Sequence, residues 1–175
     1  MIEGQASVAW ATAAVFVDGR TGSAVLVDPR YLLTAQHVLQ RRDPGTGAIG
    51  FEAASRGAER VVSVESNRET AHAIEEAAQE LGISDRLTVM AAPVERALYR
   101  VEGPFDIVYL DPPYANEVPL QVFRLLLERA LLAPDALVIY EHAAKRILPD
   151  IPGYRSTREE VYGDVALAFF ARADG

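Results

Sequence analysis

Two short stretches hold residue types whose spacing can do chemistry. The first is Asp111-Pro112-Pro113-Tyr114, which follows the apolar run Phe105 to Leu110 (FDIVYL). Consecutive prolines donate no ladder hydrogen bonds, so they end a strand there. An Asp side chain beside a proline-flanked carbonyl offers two stiffly held acceptors. That arrangement suits an exocyclic amine, whose lone pair is delocalised into its ring and whose nitrogen is a poor nucleophile. Accepting both N–H groups draws the nitrogen toward tetrahedral geometry and aims the lone pair at a methyl donor, so orientation contributes more than acid-base strength. Tyr114 offers a stacking face, worth about 1–3 kcal/mol per base, and a base inside a helix would first be extruded. The competing reading is a Pro-Pro turn with a helix-capping Asp.

The second stretch is Gly45-Thr46-Gly47-Ala48-Ile49-Gly50, a G-x-G-x-x-G pattern with Glu65 lying 20 residues after Gly45. Glycines allow close backbone approach to a nucleotide-like ligand, and a following helix N-terminus favours its anionic group. An acid at the end of the next strand can accept hydrogen bonds from two ribose hydroxyls. The glycine pattern alone arises often by chance, and a tightly packed helix start explains it equally well. It serves dinucleotides and S-adenosylmethionine alike. In a doubly wound sheet the strand C-termini share one edge, so Glu65, Asp111 and the glycine loop would converge on one crevice. Asp-Pro-Pro-Tyr there favours the methyl donor.

Those residues need an α/β frame, and the sequence supplies one from Gly45 onward. Val61 to Glu65 (VVSVE) reads as a buried strand ending in an acid. Ser66 and Glu69 match a capping box, opening a helix with an inner face of Ala71, Ile74, Ala78 and Leu81, stopped by Gly82. Leu87 to Met90 is a short strand, Phe105 to Leu110 a stronger one, Leu120 to Leu132 a helix and Ala136 to Tyr140 another strand. Residues 154–162 and 164–171 form an antiparallel hairpin about Gly163-Asp164. The expected architecture is a mostly parallel α/β sheet from residues 45–175, with residues 1–44 as a β-rich segment of different character. There Val8 to Val17 and Ser23 to Val27 suggest a hairpin around Gly19–Gly22. Gln40-Arg41-Arg42-Asp43-Pro44 makes a poor central strand, so Tyr31-Leu32-Leu33 or Val38-Leu39 is expected to supply the strand before the glycine loop.

Composition narrows the classes. The chain has 175 residues, half of them apolar, with 17 Lys+Arg against 25 Asp+Glu and a formal charge of −8. That suits one domain with a sizeable core and rules out wholesale disorder. No apolar run approaches the ~20 residues of a membrane span, and Met1-Ile2-Glu3-Gly4 is acidic where a secretory signal is basic. With no cysteine, thiolate metal sites, disulfides and Cys nucleophiles are excluded, which fits a cytoplasmic protein. The acidic balance argues against tight non-specific binding to a phosphate backbone. His37, His72 and His142 are far apart, and no metal site is expected. His72 reads as a surface residue, and Glu141-His142 as a structural pair at a strand end, although the acid would be able to line the crevice. Arg41-Arg42 and Lys145-Arg146 are the basic doublets, and Leu125-Leu126-Leu127 is a buried helix face.

From Gly45 to about Arg172 the chain resembles the RsmD-like family of bacterial small-subunit ribosomal RNA guanine-N2 methyltransferases. The stretches that carry the resemblance are residues 45–65 (GTGAIGFEAASRGAERVVSVE), 105–114 (FDIVYLDPPY), 137–145 (LVIYEHAAK) and 158–170 (REEVYGDVALAFF). It implies a Rossmann-like class I methyltransferase sheet of seven strands with a C-terminal antiparallel hairpin. It implies S-adenosylmethionine at Gly45, Thr46, Gly47, Glu65 and Ser66, and the target guanine amine at Asp111, Pro112, Pro113 and Tyr114. The implied partner is ribosomal RNA or a ribosomal subunit intermediate, with neither membrane nor metal. Two departures stand out. Ala92-Pro93 occupy the place where many relatives carry an acid near the adenine, and the family's basic N-terminal hairpin and first strand ending in Asp are absent.

Residues 22–37 (GSAVLVDPRYLLTAQH) resemble instead the segment around the catalytic histidine of trypsin-like serine proteases. No Gly-Asp-Ser-Gly motif accompanies His37, and Gly163-Asp164-Val165 has Val where the nucleophile would stand, so no triad can be assembled. Two resemblances meeting near residues 42–45 suggest a fused chain. Besides the methyltransferase, two other expectations stay open: a nicotinamide-dependent oxidoreductase using the same glycine loop, and a folded, non-catalytic chimera with an impaired cofactor site.

Overall fold

The computed structural model describes the backbone of residues 13–17 together with residues 48–112 and 117–174. Its frame is a seven-stranded sheet ordered β3-β2-β1-β4-β5-β7-β6. The strands are β1 (Ala13–Val17), β2 (Val61–Glu65), β3 (Leu87–Ala91), β4 (Phe105–Asp111), β5 (Leu132–Ala143), β6 (Tyr154–Tyr162) and β7 (Val165–Arg172). The first five run parallel, and β7 lies antiparallel between β5 and β6. Among the described residues the helices are α1 (Ala48–Ser55), α2 (Arg68–Glu80), the single turn α3 (Val94–Ala97) and α4 (Leu120–Glu128).

Burial on both faces explains the composition of the strands. All five residues of β2 are buried, the near-continuous apolar run of a central parallel strand. One face of the sheet gathers Ile49, Ala53, Val61, Ile74, Ala78, Tyr109, Ile139 and Phe169, with α1 and α2 over it. The other gathers Val64, Leu98, Phe105, Val108, Leu110, Phe123, Leu126, Tyr140 and Phe170, beneath α3 and α4. Phe123 is its hub, meeting the rings of Tyr140, Tyr154 and Phe170 edge-on at 5.1–6.0 Å.

The first strand differs from expectation. Ala13–Val17 pairs in parallel with β2 on one side and β4 on the other. With both edges occupied, it is the central strand of the sheet and not one arm of a hairpin. The centre is therefore filled from residues 13–17 and not from Tyr31–Leu33 or Val38–Leu39. Those segments, with Ser23–Val27 and Arg41-Arg42, lie outside the described residues.

Smaller differences have local causes. The cap of α2 is Asn67, one residue beyond Ser66, and its side chain accepts from the Thr70 N–H at 3.0 Å. The Glu65 carboxylate accepts the Asn67 N–H at 2.6 Å, which sets the turn out of β2 so that Asn67 reaches the helix start. Ala71, Ile74 and Ala78 are buried as their spacing predicts, whereas Leu81 is the C-cap and 61% exposed. Gly82 stops the helix at φ +67°, with Gly82 N–H donating to Gln79 and Ile83 N–H to Ala78, a Schellman pattern. Helix α4 ends at Glu128 rather than Leu132, because Leu132 already pairs with Phe105 in the sheet. The β6–β7 hairpin turns at Gly163, φ +63°, as expected.

Candidate active site at the carboxyl edge of the sheet

The parallel register fixes where the two acids stand. Val17 of β1 is the partner of Glu65 on one side and of Asp111 on the other. The three residues form one lateral row at the carboxyl ends of the strands. Two inter-strand spacings of ~4.8 Å separate the Glu65 and Asp111 backbones, about 10 Å in all. Partners in a parallel ladder share a face, so both acids belong to the side covered by α1 and α2. Because β1 and β2 are parallel neighbours, α1 crosses back between them and its N-terminal end is directed toward this same edge. Gly45, Thr46 and Gly47 immediately precede it, outside the described residues.

Both acids are buried, Glu65 at 2% and Asp111 at 3% exposure, and their surroundings differ. Glu65 is held by the Asn67 N–H. Ser66, between them in sequence, is half-buried. Asp111 Oδ2 is buried and has no hydrogen-bond partner. Burial, and second the negative charge of Glu141, push the Asp111 carboxyl up to about 9. It therefore carries a proton at neutral pH and presents one carbonyl acceptor and one O–H donor. An unpaired buried polar atom costs roughly 1–3 kcal/mol, a cost that a ligand pairing with it would remove. Pro112 is half-buried next to it, while Pro113 and Tyr114 lie outside the described residues.

Sequence reading pairs Glu141 with His142, and the structure gives each another neighbour. The Tyr109 hydroxyl donates a hydrogen bond to Glu141 Oε2. Tyr109 precedes Asp111 by two, so strand alternation puts them on one face; that period is the signal that points to Tyr109, a residue sequence reasoning misses. His142 stacks on Tyr140 with ring centroids 5.4 Å apart and brings Nδ1 to 3.0 Å from the Ala143 carbonyl oxygen. His72 is exposed near Glu75 and Glu76, as expected of a surface residue. Among the described residues, no group of three or more His, Asp or Glu is placed to hold a metal ion, and no helix is long and apolar enough to cross a membrane.

The chain is similar to known proteins over most of its length. The chain is 30% identical over 129 residues to the ribosomal RNA small subunit methyltransferase D of Escherichia coli, covering 73% of this chain and 65% of that protein. It is 28% identical over 131 residues to the enzyme of the same name from Haemophilus influenzae, covering 72% and 67%. A solved structure from Streptococcus pyogenes, described as a conserved hypothetical protein, superposes with a TM-score of 0.69 at 26% identity, covering 93% of this chain and 88% of that one. The architecture is the class I methyltransferase sheet with its antiparallel C-terminal hairpin. The protease resemblance and the fused chain gain no support: the family match begins at residue 30, includes His37 and runs through residues 42–45. Over residues 30–171 the sequence fits the model of the family described as conserved hypothetical protein 95, and the chain belongs to that RsmD-like family.

Proposed function

We propose that the protein transfers a methyl group from S-adenosylmethionine to an exocyclic amine, guanine N2 of small-subunit ribosomal RNA. The observation that carries the reading is Asp111, buried with an orphaned carboxyl oxygen in the same row as Glu65. The names of the Escherichia coli and Haemophilus influenzae relatives support the substrate class and the kind of enzyme. A reaction on ribosomal RNA belongs in the cytoplasm.

When bound, S-adenosylmethionine supplies a methyl group on a positively charged sulfur. The residues that would hold it are Glu65, through the ribose hydroxyls, the loop Gly45-Thr46-Gly47, and Ser66 beside Glu65. The donor set fits, since a buried strand-end carboxylate can accept from a vicinal diol. The Asp111 carbonyl oxygen and the Pro112 carbonyl accept the two N–H groups of the amine and hold its lone pair in line with the methyl, and the proton the nitrogen sheds once methylated passes to water. Pro113 stiffens that pair of acceptors, and Tyr114 stacks on the base. Positioning and desolvation carry the rate, because the amine needs orientation more than it needs a strong base.

The test is isothermal titration of S-adenosylmethionine and its demethylated product into the wild-type protein and Asp111→Ala. Both proteins should bind both ligands, with turnover on ribosomal RNA lost only in the variant. Parental turnover in Asp111→Ala would refute the role of Asp111, and no binding to the wild-type protein would refute the cofactor.

A further inference from the structure

Glu141 lies outside the set that the proposed methyl transfer uses, and its position is unusual. In the β4–β5 ladder Leu110 pairs with Tyr140, so the next residues along the two strands are Asp111 and Glu141. Alternation turns both away from the Leu110–Tyr140 side and onto the face that holds Tyr109 and Ile139. Glu141 is 7% exposed, and the Tyr109 hydroxyl anchors its Oε2. Two buried carboxyl groups thus stand on adjacent strands at the edge where the substrate amine would arrive, and one of them has an oxygen without a partner. Bringing two acids together out of water is costly, which a fold with apolar alternatives would avoid unless a ligand matched the pair.

A guanine edge provides that match. Its N1–H and its amino group lie side by side, so the edge presents only donors there. Adenine and cytosine also carry an amine, but beside it they place a ring nitrogen lone pair. A carboxylate facing that lone pair would repel both bases and leave buried acceptors unpaired, the kind of mismatch that discriminates most strongly. A carboxylate has about four lone-pair sites, so Glu141 can keep the Tyr109 bond and accept another hydrogen.

We infer that Glu141 is the base-specificity residue of the site: held by Tyr109, it accepts the guanine N1–H while Asp111 and the Pro112 carbonyl take the amine. This rests on the proposed methyl transfer and adds to it the means by which guanine is selected over other amine-bearing bases. Glu141 touches the base away from the reacting nitrogen, so its removal changes preference more than the chemical step.

The experiment compares methylation of two uridine-rich oligoribonucleotides, one with a single guanosine and one with a single 2-aminopurine riboside. 2-Aminopurine keeps the amine but offers a lone pair at N1. Wild-type protein should prefer guanosine by at least thirtyfold. In Glu141→Gln, whose amide can donate to N1, that ratio should shrink at least tenfold. The loss of O6 in 2-aminopurine affects both proteins alike, so the change in ratio reports N1. Tyr109→Phe keeps the carboxylate but removes the hydroxyl that anchors its Oε2, and should shrink the ratio about threefold; it carries the test if Glu141→Gln does not fold. Affinity for S-adenosylhomocysteine should stay within about twofold in both variants. An unchanged ratio in the folded variants, or equal handling of the two oligonucleotides by wild-type protein, overturns the assignment. Absence of S-adenosylhomocysteine binding to wild-type protein would instead strike the methyltransferase reading itself.

Discussion

Glu65 and Asp111 stand in one row of the sheet, each the register partner of Val17, one strand to either side. That relationship brings residues 46 positions apart in sequence to one edge of the sheet. It also separates their tasks. Glu65 is satisfied in part by its own chain, through Asn67, whereas Asp111 keeps an oxygen in reserve.

Asp111→Asn keeps size and hydrogen-bonding capacity while fixing the group as neutral. A folded-state value of about 9, against 3.8 for an ordinary Asp, means the folded protein holds a proton that the unfolded chain has released. Stability from this group is full below about pH 4 and is lost as pH rises through 9. The variant should therefore gain about 1–3 kcal/mol over wild type by pH 9, since a tenfold difference in proton affinity is worth ~1.4 kcal/mol before the structure relaxes. Urea unfolding at pH 5, 7 and 9 would show it as a flatter pH dependence.

Glu65→Gln should weaken S-adenosylmethionine at least tenfold, because the charge-assisted hydrogen bonds to the ribose are lost. The amide oxygen can still accept from Asn67, so stability should fall by no more than about 1 kcal/mol. Titration calorimetry and a melting curve on the same sample separate the two effects. Loss of folding in place of affinity would make Glu65 a structural residue.

Two glycines with positive φ should respond differently to alanine. Gly82 at φ +67° has nothing within 4 Å of an added Cβ, so Gly82→Ala should cost only the backbone strain, about 1 kcal/mol. Gly153 at φ +82° would place the Cβ 2.5 Å from Leu127 Cδ1, the movable end of a half-buried side chain, so Gly153→Ala should cost the backbone strain plus a modest repacking, about 2 kcal/mol. Chemical unfolding of both variants checks the order.

Phe123→Ala should be the costlier change, about 3–5 kcal/mol. It empties the centre of three edge-on ring contacts in a fully buried site. Titration calorimetry on folded protein should still show S-adenosylmethionine binding, since Phe123 belongs to the core beneath α3 and α4, on the face opposite Glu65 and Asp111.

The sequence makes part of this legible. Apolar runs ending in an acid mark β2 and β4, and parallel topology alone brings such ends to one edge, so Glu65 and Asp111 are readable as neighbours. The central strand is not. Ala13–Val17 has the composition of a buried strand, but residues 18–47 stand between it and α1, where a short connection is expected. Local pattern cannot tell a strand that will be flanked by β2 and β4 from one arm of a hairpin. The cap of α2 falls on Asn67 and not Ser66 because the Glu65 carboxylate captures a backbone N–H, an interaction no capping pattern encodes. Tyr109 and Glu141 meet across 32 residues. Such a pairing depends on β4–β5 register, which sequence alone does not fix.

Nucleoside analysis of small-subunit ribosomal RNA reads out methyl transfer to a guanine amine. RNA lacking the modification, free and within small subunits, would be incubated with the protein and S-adenosylmethionine carrying a labelled methyl, then digested and resolved by mass spectrometry. Label should appear in N2-methylguanosine and be abolished by Asp111→Ala. Label in methylated adenosine or cytidine, or no label from a protein that binds the methyl donor, would contradict methyl transfer to a guanine amine.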